Sequence, residues 1–422
     1  MFNAADKTHS GGAGGLPSTV VKHTELQSLK VSHLCIVSGL GPGADATLDA
    51  LRTGRGGLKP CTFETVTLDT HVGEVAGVDR AALPDHLAAF ECRNNRLANM
   101  ALGLDGFETA VADAVARHGA DRIGVFLGTS TSGILTSEIA YRHRDPVTGA
   151  LPPGYDFAAT HSTGALAEFV SRRLGLSGPA FVVSSACATT AKVFANAARM
   201  IEAGLCDAAV VGGADSLCLT TLYGFHSLEL VSSRPCTPFD VDRDGVSLGE
   251  AAGFVLLERV DRSPDAGAIT LLGVGESNDA YHMSSPHPEG VGARLAMERA
   301  LIRANLSASE IDYINLHGTA TPYGDAAEDR AIIEIFGTRT AVSSTKGYTG
   351  HTLGAAGIVE AIISVLCLKA GFMPGSPQTR TLDPALRSRY LLANESGRLD
   401  RLMTNSFGFG GTNCSLIFGW AG

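Results

Sequence analysis

Short unbroken apolar runs alternate with stretches in which apolar residues return every three or four positions, which predicts buried strands interleaved with helices. Val31–Val37 reads as the first strand, ends at Gly39-Leu40-Gly41-Pro42-Gly43 and leads into a helical pattern through Leu51. Arg93 opens a helix expected to run to about Ala116, and Arg122–Gly128 follows as a strand. Its Gly/Ser/Thr-rich continuation, Thr129–Gly133, is either a turn or a pocket wall. Arg142–Tyr155, rich in Pro and Gly, predicts an exposed excursion. After the apolar run Phe181–Val183, a helix over Thr189–Ala203 stops at Gly204, and a strand over Asp207–Gly213 returns. The polar loop Ser232–Gly249 precedes a strand at Phe254–Glu258. Beyond Asp261 the pattern restarts, with strands at Ile269–Ser277 and Ile311–Leu316 and helices at Gly292–Ala304 and Asp325–Phe336. Ala341–Lys346 and the helix Thr352–Ala370 then repeat the device of Val183–Thr190 and its helix, and Ser415–Phe418 closes the chain as a strand. The repetition predicts two similar α/β halves.

The division expected is a flexible tail over residues 1–30, an amino half over 31–265 and a carboxyl half over 266–422. The glycine-rich His9–Gly15 belongs to that tail. With 45% hydrophobic and 18% charged residues, the chain can cover a large sheet on both faces. A formal charge of −10 argues against nucleic acid or an anionic membrane surface as the main partner. Nine scattered cysteines without a C-x-x-C pair suggest neither a disulfide framework nor zinc, and fit a reducing cytoplasm. Met1–Lys30 lacks the basic start and apolar run of a signal peptide, and no stretch reads as apolar over the roughly eighteen residues of a membrane span.

Chemistry gathers at four places. In Phe181-Val182-Val183-Ser184-Ser185-Ala186-Cys187-Ala188-Thr189-Thr190, Cys187 falls between a strand and a helix start. The free N–H groups of a helix start favour an anion, so position alone is expected to pull this thiol toward ionisation near neutrality. A buried structural cysteine is the alternative. His317, in Leu316-His317-Gly318-Thr319-Ala320-Thr321-Pro322, follows a buried strand, where open α/β sheets bind ligands. His351 lies at a helix start in Lys346-Gly347-Tyr348-Thr349-Gly350-His351. Asn405-Ser406-Phe407-Gly408-Phe409-Gly410-Gly411-Thr412-Asn413 reads as an aromatic-glycine turn. The lone G-x-G at Gly39 and Gly41 has no full dinucleotide fingerprint around it.

In this order, the four motifs resemble the β-ketoacyl-(acyl carrier protein) synthases, the elongating ketosynthase I/II group of the thiolase superfamily. The resemblance spans about Val31 to Gly422 and takes in Asn278–Met283 and Arg243-Asp244-Gly245. It implies the thiolase fold, an α/β architecture of five layers, αβαβα, built from two pseudo-duplicated halves. It further implies acyltransferase activity: decarboxylative condensation of an acyl group on Cys187 with malonyl-acyl carrier protein. His317 and His351 then receive the malonyl thioester, with Lys346 and Glu360 as an ion pair beside them. Phe409 and the N–H of Cys187 match the oxyanion hole, and Phe407 the gate. Thr319 and Thr321 match hydroxyls binding the pantetheine arm, Thr131 falls in the acyl-pocket wall, and Asp279 and His282 are further substrate-side matches. Asp325 is expected to give structural support.

The resemblance implies no cofactor and no metal, since the substrates ride on the phosphopantetheine of acyl carrier protein. The expected partners are that carrier and a second subunit, either another copy or a ketosynthase-like chain-length factor. A non-catalytic chain-length-factor-like subunit would lack the nucleophile. A thiolase would pair one His with a second catalytic Cys, whereas Cys414 heads an apolar run and reads as core. Gly128–Gly133, Val246-Ser247, Gly347-Tyr348 and Pro235-Cys236 depart from the fatty-acid pattern. They look similar to ketosynthases of secondary pathways making polyenes, including aryl polyenes, with fatty-acid elongation as the other pathway.

Overall fold

The computed structural model describes residues 26, 28–260 and 267–421. In the amino half, β1 (Leu29–Ser38), β2 (Ile123–Gly128), β3 (Ala180–Val183), β4 (Ala208–Asp215) and β5 (Ala251–Arg259) lie in the order β3-β2-β4-β5-β1. Strand β2 is parallel to β3 and β4, while β5 is antiparallel to β4 and β1. The carboxyl half has β6 (Ile269–Asn278), β7 (Tyr313–Asn315), β8 (Ala341–Ser343), β9 (Arg401–Gly408) and β10 (Thr412–Trp420), in the order β8-β7-β9-β10-β6. Its polarities are the same, strand for strand. The two halves therefore share one topology, and they join where β1 pairs β6 at Leu29–Leu271 and Lys30–Thr270.

Side-chain alternation turns this topology into layers. On one face of the amino sheet Val125, Leu127 and Val210 pack under α1 (Arg93–Leu102), α2 (Phe107–His118) and α3 (Gly164–Leu174). From the other face Phe126, Ala209 and Val211 meet α4 (Thr189–Glu202). In the carboxyl half, Ile314, Val342 and Ile417 pack on the outer helices α5 (Val291–Ala304) and α6 (Pro322–Phe336). Leu416 and Phe418 face inward, toward α7 (Ala356–Ala370). Helices α4 and α7 share the central core, so the order is helix, sheet, helix, sheet, helix.

Several boundaries differ from the sequence reading. The first strand begins at Leu29, inside the expected tail, because Leu29 is buried and pairs with both β5 and β6. The His9–Gly15 stretch and the 265/266 division lie outside the described residues. The single helix expected from Arg93 is two: the first ends at Leu102, capped by Gly103, and Asp105 and Gly106, both at positive φ, turn the chain into the second. The aromatic-glycine motif is mostly strand: Asn405–Gly408 end β9, and only Phe409–Gly411 turn into β10. One segment does reach membrane-spanning length and hydropathy, Leu353–Ala370, with a mean hydropathy of 1.9. It is 89% buried, because α7 lies between the two sheets.

Candidate active site

Two equivalent strand-to-helix connections face each other across the central layer. In the amino half, residues 184–188 link β3 to α4, and small side chains let Ala186 take a φ of 47°. The Thr189 hydroxyl closes the turn by accepting from Ser185 N at 2.7 Å and donating to Ala186 O at 2.6 Å. Cys187 is presented at the head of α4 and is 5% exposed. In the carboxyl half, residues 344–355 link β8 to α7 and contain a short helix, Lys346–Thr349, followed by His351. The longer connection carries a second catalytic candidate, and His351 Nε2 lies 3.0 Å from Cys187 Sγ.

His317 leaves the end of β7, and its ring stands edge-on to His351 with centroids 5.4 Å apart. Its main chain is held by Glu328, whose carboxylate accepts from His317 N and Gly318 N, each at 2.8 Å. Behind the histidines Lys346 Nζ donates to Glu360, and it lies 3.4 Å from His317 Nδ1. An ammonium can only donate, so it fixes the lone pair at Nδ1 and leaves the proton on Nε2.

Burial dominates the electrostatics. It pushes the Cys187 thiol up to about 11, against Lys346 and the N–H groups of Phe409 and Cys187, which pull it down. The helix start therefore does not produce the resting thiolate that sequence position suggests; desolvation outweighs it. Burial and then Lys346 hold both histidines well below the usual imidazole range. His351 is thus held neutral, with burial as the leading cause. The resting trio is a neutral thiol and two neutral imidazoles. Their ligand atoms lie within 4.8 Å of one another, as a metal would require. The tautomer imposed by Lys346 makes His317 Nε2 a donor and suits it poorly as a ligand.

Above the sulfur, the N–H groups of Cys187 and Phe409 both point toward Sγ. Gly408 makes this approach possible, since a Cβ there would stand 3.0 Å from Cys187 N and 3.1 Å from Ala188 N. The Phe409 ring stacks on Phe225 at 5.3 Å, and Phe407 lies 6.0 Å from the His317 ring. A cavity reaches Cys187 past Phe407, Phe409, Thr319 and Thr321.

A profile of the beta-ketoacyl synthase N-terminal domain matches residues 35–263, and one of the C-terminal domain matches residues 269–380. The chain belongs to the β-ketoacyl synthase family. A 3-oxoacyl-[acyl-carrier-protein] synthase 2 of Vibrio cholerae is 34% identical, the match covering 92% of this chain and 98% of that protein. A mitochondrial 3-oxoacyl-[acyl-carrier-protein] synthase of Arabidopsis thaliana is 41% identical over 59% of this chain and 58% of its own length. Among solved structures, the ketosynthase ApeO of Xenorhabdus doucetiae, in complex with its chain length factor ApeC, is 40% identical with a TM-score of 0.83. That match covers 94% of this chain and 98% of ApeO. The chain is thus a β-ketoacyl-acyl carrier protein synthase, an acyltransferase of chain elongation with the thiolase fold, and neither a thiolase nor a non-catalytic subunit is favoured.

In this synthase Cys187, His317, His351, Phe407, Phe409, Thr319 and Thr321 come together around one cavity, and Lys346 and Glu360 back it. The Thr319 and Thr321 hydroxyls lie 2.9 Å apart. Asp279 lines the cavity too, but its carboxylate accepts from Asn413 Nδ2 at 2.7 Å and His287 N at 2.9 Å. Asp325 is fully buried, where burial raises it to about 7 and Phe239 N donates to it at 2.8 Å. His282 is exposed and is not among the lining residues. Thr131 is not brought to the cavity: its hydroxyl donates to Asp215 and accepts from Ser216 N. Glu328 escaped the sequence reading. Its signal was a carboxylate sharing the inward face of α6 with Ala327, Ala331 and Ile332.

Proposed function

We propose that the synthase carries its acyl group on Cys187 and condenses it with malonyl-acyl carrier protein, with no cofactor beyond the carrier's phosphopantetheine. The observation that carries this is Cys187 Sγ, 3.0 Å from His351 Nε2 and beneath two convergent N–H groups. Sγ attacks the acyl thioester, its proton passing to His351 Nε2 and on to the departing pantetheine sulfur. The N–H groups of Cys187 and Phe409 hold the tetrahedral oxyanion, a contribution of about 2.7–4 kcal/mol per donor. When the malonyl thioester loses CO2, its enolate oxygen meets the proton on His317 Nε2, with His351 beside it. The enolate carbon then attacks the Cys187 thioester, and the freed sulfur takes up a proton. Phe407 screens the acyl-enzyme from water, and Thr319 and Thr321 bind the pantetheine arm.

The pathway we infer is secondary polyene synthesis, aryl polyenes included. The hydroxyls of Thr129, Ser130 and Thr131 turn to Asp215 rather than to the cavity, so they do not support this reading. Its support is a connected set of departures from the fatty-acid pattern. Cys236 Sγ donates to Lys346 O at 3.3 Å, Cys236 N donates to Ser247 Oγ, and His351 N donates to Ser247 O at 2.7 Å. A second subunit, a chain-length factor or another copy, fits the half-buried outer edge at β3, an edge strand carrying Phe181, Val182 and Val183 that pairs within the sheet on its β2 side. All nine cysteines are free, in keeping with a reducing cytoplasm. The test is malonyl-driven extension of saturated, unsaturated and aryl-conjugated acyl carriers side by side. Preference for conjugated acyl groups supports the pathway; preference for saturated ones assigns fatty-acid elongation instead.

A further inference from the structure

The two strand-to-helix connections meet at a peptide that belongs to neither reacting group. Gly354 follows His351 by three residues, and both sides of it are gripped by the amino half. Its N–H donates to Asp215 Oδ2 at 2.5 Å and lies 3.2 Å from Ser130 Oγ. Its carbonyl accepts from Thr190 Oγ1 at 2.6 Å, and the same hydroxyl accepts from Ile358 N, in the first turn of α7, at 2.9 Å. Thr190 itself lies three residues after Cys187, in the first turn of α4.

The fit leaves little slack. A Cβ on Gly354 would stand 2.7 Å from Asp215 Oδ2, and one on Gly357 would stand 2.5 Å from Ala191 N. Between His351 and Gly354, Leu353 holds a φ of 53°, a conformation that a leucine keeps only where its neighbours enforce it. Asp215 is fully buried and acceptor-only when ionised. It takes donors from Thr129, Ser130, Thr131 and Gly354, so its geometry is fixed from several directions.

We infer that Thr190 and Asp215 are positioning residues, which clamp the Gly354 peptide from opposite sides and so hold His351 at hydrogen-bond distance from Cys187 across the boundary between the halves. Neither touches the reacting atoms. The inference rests on the roles proposed above for Cys187 and His351, and it adds that their separation is set by a hydroxyl on the nucleophile's own helix.

The experiment measures kcat and KM with acyl- and malonyl-acyl carrier protein, and the melting temperature, for the full chain and for Thr190→Val, Thr190→Ser and Asp215→Asn, with His351→Ala as reference. Displacing a catalytic group by about 1 Å costs on the order of a hundredfold, so Thr190→Val is expected to lose about tenfold to a hundredfold in kcat. KM for both carriers stays within about twofold, because the cavity walls are untouched. Thr190→Ser keeps the hydroxyl and restores kcat to within about twofold. Asp215→Asn, which turns an amide donor toward the Gly354 N–H, gives the same split and serves if Thr190→Val does not fold. Wild-type kcat in both Thr190→Val and Asp215→Asn, or equal losses in Thr190→Ser and Thr190→Val, overturns the inference alone. Normal condensation by His351→Ala overturns it together with the proposed role of that histidine.

Discussion

The two strand-to-helix connections occupy the same place in two halves of the same topology, yet they do different work. The amino connection, residues 184–188, is short and apolar around its thiol, and it delivers Cys187 directly at the head of α4. The carboxyl connection, residues 344–355, is longer, and its extra length folds into a short helix that brings a buried ammonium, Lys346, and then His351. In the mechanism proposed, one half supplies a neutral nucleophile, and the other supplies its proton acceptor and the charge that orients His317. Duplication of a fold thus gives two matched scaffolds, and the length of one turn decides which chemistry each holds.

The largest effect is expected on the carboxyl side. Lys346→Met leaves Glu360 without its partner in the core, a change expected to cost about 3–5 kcal/mol, moderated by protonation of a carboxyl that burial already raises. Adding Glu360→Leu should recover most of the melting temperature but not malonyl decarboxylation, since the tautomer of His317 stays unpinned. Recovery of both would remove Lys346 from the mechanism. On the amino side, Gly408→Ala places a methyl 3.0 Å from Cys187 N and should lower kcat by about 10²–10³ with little change in melting. An unchanged kcat would mean that the oxyanion lies elsewhere.

A finer contrast concerns the thiol itself. Because burial sets Cys187 at about 11, its alkylation by iodoacetamide should keep rising with pH through the alkaline range, the neutral thiol prevailing below that value. A plateau near neutrality would show that the helix start and Lys346 outweigh desolvation. The smallest effects lie at the cavity mouth. Thr319→Val should raise KM for malonyl-acyl carrier protein by roughly 2–10-fold, the worth of one hydrogen bond, whereas His282→Ala, at an exposed position, should leave it unchanged.

Much of this was legible in the residues. Buried runs announced the strands, the repeat of Val183–Thr190 at Ala341–Lys346 announced two halves, and the trio was nameable from its motifs. What escaped depends on contacts distant in sequence. Glu328 gains its role only when α6 folds back beneath His317, and Asp215 only when β4 ends beside Gly354. The thiol's environment was misjudged for the same reason, because a helix start is local while burial is a property of the whole fold. The strand ending in Ser406-Phe407-Gly408 was hidden by glycines that serve a close approach to Cys187 as well as a turn.

The central claim is that Cys187 is the acyl-carrying nucleophile. Intact-mass and peptide-mapping mass spectrometry after incubation with acyl-acyl carrier protein tests it most directly. One acyl adduct, located on Cys187 and abolished by Cys187→Ser, is the expected result. No adduct, or an adduct on another of the nine cysteines, would contradict it.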